Sequence, residues 1–250
     1  MSTNPLAVPE SQPTSQPETG ALGRMTGAVV SPSRTFAEIA RRPTWVVPLL
    51  ALWVLSIMVS GLLAQKTDWR GFFERQMSKN ARFDQMPQEQ KDNILEKQVQ
   101  YGPKFAFAFG VIFTPIFVLM ITLLYWGAFN LFNGATLTFQ QAFGLGSHAF
   151  VPLIISSLLA IIILAIKPHG DVDPEHFLAS SLGAFLPDDA SKWLAALGQS
   201  LELFWIWTLA LLAIGFSAAN PKKIKPAGAF LTVYGMWAVW VLGKVAFAMF

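Results

Sequence analysis

Five apolar stretches, each close to twenty residues, alternate along this chain with polar segments of very unequal length. They run from Trp45 to Ala64, Phe105 to about Phe129, His148 to Ile166, Leu201 to Ala218 and Ala227 to Met249. Twenty helical residues rise about 30 Å, the thickness of a bilayer's hydrocarbon layer. A helix satisfies its own backbone in lipid, whereas an isolated strand does not. One such stretch is compatible with a buried helix in a soluble core. Five predict an all-α fold, a polytopic transmembrane helical bundle of about five spans.

The polar segments have characters of their own. Met1 to Gly20 is rich in Pro, Ser, Thr and Gln and reads as a disordered tail. Residues 1–30 are therefore read as a disordered polar N-terminal tail, set apart from a membrane domain over 31–250. No basic start, short apolar core and cleavage site follow one another there, so no removable signal peptide is expected. Ser31 as N-cap and Pro32 at the first helical position open a short helix. Phe36, Ile39 and Ala40 share one of its faces and Arg34, Arg41 and Arg42 the other, which suits a helix lying on the membrane surface.

The excursion Gln65 to Lys104 is expected to hold two helices. One carries the stripe Trp69, Phe72, Phe73, Gln76 and Met77; the other opens at Pro87 and contains Ile94, Leu95 and Val99. Asn133-Gly134 marks a turn, and Thr138 with Gln141 reads as a capping box. The second excursion, Lys167 to Ser200, sets Asp171, Asp173, Glu175, Asp188 and Asp189 against two lysines, and Asp173-Pro174-Glu175 reads as a capped helix start. Amphipathic helices are thus expected in both excursions. Only the tight basic loop Asn220 to Pro226 separates the last two spans.

Composition agrees with a bilayer as solvent. The chain is 53% hydrophobic and 13% charged, where a soluble domain carries about a quarter charged residues. Its net charge of +3 is spread over short loops, which excludes a nucleic-acid face. The absence of cysteine excludes disulfides, thiolate metal sites and thiol catalysis. Short basic flanks stay on the cytoplasmic side. Arg34, Arg41 and Arg42 fall on one side with Lys222, Lys223 and Lys225, given five crossings. The eight basic residues of the Gln65 to Lys104 excursion argue the other way, but most lie mid-loop, where their orienting weight fades. The N-terminus is therefore placed in the cytoplasm and the C-terminus outside, with both excursions extracytoplasmic.

Chemistry is sparse. Ser147-His148 lies in no Gly-x-Ser-x-Gly elbow, and no His-Glu-x-x-His occurs. Gly144-Leu145-Gly146 lacks the third glycine and the lysine of a phosphate loop. His169, Asp171, Asp173, Glu175 and His176 form a loose acidic cluster without metal-ligand spacing, and His148 reads as an interfacial residue. No enzyme activity, metal or cofactor is expected. Pro115 should kink the second span, with Pro152 near the start of the third. Ser56 with Ser60, Ser156 with Ala160 and Ala213 with Ser217 suit close helix packing.

Two charges lie within the apolar stretches, Glu202 at the start of the fourth and Lys244 near the end of the fifth. Buried charges in lipid find partners. The short loop makes these helices antiparallel, so both charges come to one face. Lys244 lies roughly 9 Å below the boundary, within reach of its own stem. They are the candidate intramembrane polar pair; the alternative is that each reaches the interface alone.

Three places resemble the Yip family of five-span membrane proteins. Ser31-Pro32-Ser33-Arg34-Thr35-Phe36-Ala37-Glu38-Ile39-Ala40-Arg41-Arg42-Pro43 is similar to the Pro-x-x-x-Phe-x-x-Ile-x-x-x-Pro lead-in of bacterial members. Leu137-Thr138-Phe139-Gln140-Gln141 with Val151-Pro152-Leu153 resembles the loop and helix start at the third span. Leu203-Phe204-Trp205-Ile206-Trp207 through Ile214-Gly215-Phe216 resembles the Phe-x-Ile-Trp … Gly signature. The resemblance implies five spans, a cytoplasmic N-terminus and no catalysis. The family's eukaryotic members, named for Ypt/Rab interaction, act in vesicle traffic through partner proteins. The Asp-Leu-x-Gly-Pro motif those members carry is missing here, so Rab binding does not carry over. The reading that follows is a bacterial-type member in the cytoplasmic (inner) membrane. It would be a non-enzymatic scaffold or adaptor whose partners are the lipid bilayer and other membrane proteins. A small transporter or channel is the alternative.

Overall fold

The computed structural model describes residues 20–78, 83, 85–175, 177–187 and 189–249. The expected tail up to residue 19, and His176 and Asp188 of the acidic excursion, lie outside them. The described chain is helical: α1 Ala21–Val30, α2 Pro32–Arg41, α3 Val46–Lys66, α4 Trp69–Ser78, α5 Gln88–Phe132, α6 Phe139–Ala149 and α7 Val151–Ile166 come first. A 3-10 turn Leu182–Phe185, α8 Lys192–Ser200, α9 Leu203–Ala219 and α10 Pro226–Phe247 complete it. Four segments are long and apolar enough to cross a membrane: α3, α5, the α6–α7 pair and α10. The apolar helix α9 has 17 residues and rises about 25 Å, at the short end of what a span needs. The molecule is a polytopic bundle, with α4 and α8 as the short helices of the two excursions.

Hydrogen bonds sort the connections onto two faces. At one, the Lys66 ammonium donates to the carbonyls of Ala165 and Lys167 (3.1 and 2.7 Å), and the Gln76 amide donates to Glu175 (2.8 Å). Both excursions therefore sit together. At the other, the Asn220 amide donates to the Ala135 carbonyl (2.8 Å), and Gln141 donates to the Ala40 carbonyl (3.0 Å). The Thr138–Gln141 capping box forms, and the turn at Asn133-Gly134 places Gly134 at φ +58°, where a side chain would be strained.

Four expectations are corrected. Residues 21–30, assigned to the polar N-terminal segment, form α1, which is packed into the bundle. Its Arg24, 6% exposed, donates to Glu38 (3.2 Å), to the Arg42 carbonyl (3.1 Å) and to Thr44 (3.0 Å). Helix α2 does not float on lipid. Its apolar face, Phe36 and Ile39, is fully buried against protein, at Gly215 of α9 and Gly144 of α6 respectively. Asp173-Pro174-Glu175 starts no helix; the Asp173 carboxylate instead accepts the Glu175 N–H (2.8 Å) in an Asx turn. Finally, the helix opened at Pro87 and the second span are one helix of 45 residues, running through Pro103 and Pro115.

The second proline has a specific compensation. Pro115 lacks the N–H that would bond the carbonyl four residues back, that of Val111. The Trp53 indole of α3 donates to that carbonyl at 2.6 Å. Just beyond, the Ser56 and Thr114 hydroxyls share a hydrogen bond of 2.6 Å. A methyl on Gly110 would meet the Ser60 Cβ at 2.6 Å. The Ser56–Ser60 pair thus does what small residues at this spacing do in lipid: it brings two backbones together.

Candidate functional site

Glu202 is the N-cap of α9. Its carboxylate accepts the Phe204 N–H at 3.1 Å and the Trp205 N–H at 2.6 Å, satisfying donors that every helix start leaves open. The segment before it is stitched to the second excursion, with the Leu182 N–H bonded to the Leu201 carbonyl (3.2 Å) and the Leu203 N–H to the Ser180 carbonyl (2.9 Å). Lys244 arrives from α10, antiparallel to α9 as the short loop requires. Its ammonium donates to the Ser200 hydroxyl (3.4 Å) and lies 5.6 Å from the centre of the Trp240 ring, a cation–π geometry. The structure brings both charges to one cleft and gives each its own partner. Between the two of them there is no ion pair within 4 Å.

That cleft holds about 470 Å³ between α5, α9 and α10. Its mouth is polar: Gln199, Ser200, Glu202 and Lys244. Its walls are apolar and aromatic, with Phe117, Trp205, Trp237 and Trp240. Tyr125 marks the far end, where its hydroxyl donates to the Val233 carbonyl (3.2 Å) and closes α5 onto α10. Trp240 and Leu124 line the cleft and are 59% and 52% exposed, so it opens sideways toward the hydrocarbon. The Trp237 indole N–H is buried without a hydrogen-bond partner in the protein. On the other side of Glu202 lies a second hollow of about 460 Å³, lined by Ser156, Glu175, Ser180 and Ser181. Gln199 and Glu202 belong to both walls.

The remaining candidates go elsewhere. His148 is not interfacial: it is fully buried in α6, its Nδ1 bonded to the Gly144 carbonyl at 2.9 Å. The Ser147 hydroxyl donates to the Phe143 carbonyl (2.8 Å), so neither side chain serves the other. His169 bonds through Nδ1 to the Gln65 carbonyl (3.2 Å) at the end of α3. Among the described residues, no three His, Asp or Glu side chains converge as a metal site would need. Sequence reasoning found the two charges but missed the aromatic walls. Trp205 falls on one stretch and Trp237 and Trp240 on the next, and only the latter two had a legible signal, one helical step of three residues pointing along the same face as Lys244.

Comparison with known proteins agrees with this architecture. The family model described as the Yip1 domain matches residues 26–247. A curated protein named membrane protein YknW, of Bacillus subtilis (strain 168), is 30% identical over 190 residues, covering 76% of this chain and 75% of its own. No solved structure matches.

Proposed function

We propose, starting from the fact that this chain belongs to the Yip1 domain family, that it is a non-enzymatic membrane scaffold or adaptor. It would lie in a bacterial cytoplasmic membrane with its N-terminus inside. The observation that supports this reading most is a filled centre. Between α2, α5, α6 and α9 the volume is taken by Phe36, Phe129, Leu145, Leu209 and Phe216, each at most 1% exposed, with Phe129 stacked on Phe216 at 4.3 Å. A packed middle supports holding a shape rather than passing a solute. The surface offered to partners is the arm beyond the bilayer. Helix α5 has 45 residues and a length of about 67 Å, roughly twice the hydrocarbon thickness. Trp69 and Phe73 of α4 lie against its Gly102.

The second reading, a small transporter, draws on the Glu202–Lys244 cleft and on Pro115. Against it, the cleft ends at Tyr125. Reconstituted liposomes and native membranes separate the two. The scaffold reading expects no protein-dependent ion or solute flux. It also expects one defined membrane protein to be captured by a photo-crosslinker on the arm, at Gln100 or Tyr101, both exposed. Flux that requires the intact protein would overturn it.

A further inference from the structure

We propose that the cleft between α5, α9 and α10 is a binding site for one zwitterionic phospholipid of the surrounding membrane, with a primary ammonium and a phosphate in its head group. The phosphate sits at Lys244, the ammonium beside Glu202 and Glu175, and one acyl chain runs down the aromatic walls toward Tyr125. This inference does not depend on the scaffold reading or on which side of the membrane Glu202 faces.

Four observations carry it. The first is depth. Eleven residues of α10 separate Lys244 from Val233, where Tyr125 closes the cleft; that is about 16 Å of helix, close to the roughly 15 Å of one hydrocarbon leaflet. The second is access, because exposed Trp240 and Leu124 leave the apolar limb open sideways to lipid rather than only to water. The third is the division of polarity. The apolar limb and the polar hollow meet at Gln199 and Glu202, so an amphiphile can place its tail in one and its head in the other.

The fourth is charge. Glu202 spends one lone pair per oxygen on the start of α9, and Lys244 spends one proton on Ser200, so both retain capacity for a ligand. A cation on one side of the mouth and two carboxylates on the other complement a zwitterion. A purely anionic head would leave Glu202 and Glu175 facing it. The unpaired Trp237 N–H in the wall favours an occupant that carries ester oxygens over a bare hydrocarbon.

The test uses the full chain purified from membranes containing both phosphatidylethanolamine and phosphatidylglycerol, with retained lipid counted by native mass spectrometry after detergent exchange. Wild type should keep one phosphatidylethanolamine in preference to phosphatidylglycerol. Lys244→Met should lower that retention about tenfold, the loss of one charge-assisted contact. Leu124→Trp, which fills the apolar limb from the lipid side, should abolish it. Glu202→Gln should weaken it too; if that variant fails to fold because α9 loses its cap, the other two decide. Equal retention of both lipids by wild type, a preference for the anionic lipid, or several lipids held regardless of head group would overturn the proposal. So would unchanged retention in Lys244→Met and Leu124→Trp variants that melt like wild type.

Discussion

Single side chains in this molecule matter most where lipid leaves a polar group no second choice. Trp53 is such a residue, since its indole serves the one carbonyl that Pro115 deprives. Trp53→Phe keeps an aromatic ring, though a smaller one, and removes the donor; it should lower stability in detergent by about 1–3 kcal/mol, chiefly the cost of an unsatisfied buried acceptor. A Pro115→Ala partner variant restores a helical N–H for the same carbonyl, so in that background Trp53→Phe should cost clearly less; equal costs in both backgrounds would refute the compensation. Glu202 is a second case. Glu202→Ala removes a cap bonded to two backbone N–H groups and should cost about 1 kcal/mol or more. Lys244→Ala breaks a long contact to Ser200 and the cation–π contact with Trp240. With separate partners, the double variant should be additive within about 0.5 kcal/mol. A larger coupling in that thermal-unfolding cycle, with the protein stripped of lipid, would establish a direct ion pair instead.

At the level of elements, the sequence was legible wherever length and apolarity decide the outcome, and illegible wherever tertiary contacts do. The spans followed from twenty-residue apolar runs because lipid offers no alternative to helix. Helix α1 did not, because Ala21–Val30 carries Arg24 in mid-segment. That burial makes sense only once Glu38, Arg42 and Thr44 are folded around the guanidinium. Arg24→Met should therefore release α1 while leaving the spans intact, with a loss of about 1–3 kcal/mol for the lost hydrogen bonds to Glu38, the Arg42 carbonyl and Thr44. Amide exchange would check this: protection should fall in residues 21–30 and persist in α9. Loss confined to no single helix would sink the account. Helix α5 was misjudged for the opposite reason. Gly102-Pro103 is a strong local breaker, yet that glycine is where the Phe73 ring lies, within 2.7 Å of any added methyl. Gly102→Val should push α4 off the arm and, by unfolding that helix, speed trypsin cleavage at Arg75, which is already exposed. Unchanged cleavage would mean that α4 is not held by this contact. The polar site was half-legible: its two charges stood out against apolar sequence, but its aromatic walls look like any other membrane-facing tryptophans until three helices converge.

For the whole molecule, the two faces are fixed relative to each other by hydrogen bonds that span the bundle's ends, whereas their assignment to cytoplasm and exterior is our proposal from the basic flanks. The chain has no native cysteine, so single cysteines at Gln12, Gln88, Ala179, Lys223 and the C-terminus are free of background. An impermeant thiol reagent applied from outside should label Gln88, Ala179 and the C-terminus only. Labelling of Lys223 with protection of Gln88 would reverse the orientation, and labelling of both would break the five-span count.

The unbroken course of α5 through the membrane surface has a mechanical consequence. A rod that is one piece on both sides of an interface is a lever whose fulcrum is the bilayer. Its outer part, residues 88–104 of a helix that continues to Phe132, reaches about 25 Å beyond the hydrocarbon. Spans answer changes in bilayer thickness by tilting. A change of roughly 10° about the midplane would carry the tip sideways by about 7 Å, far more than any atom within the membrane would move. With α4 bracing it, the arm would, on the proposed scaffold reading, convert the thickness of the lipid around it into the position of a bound partner.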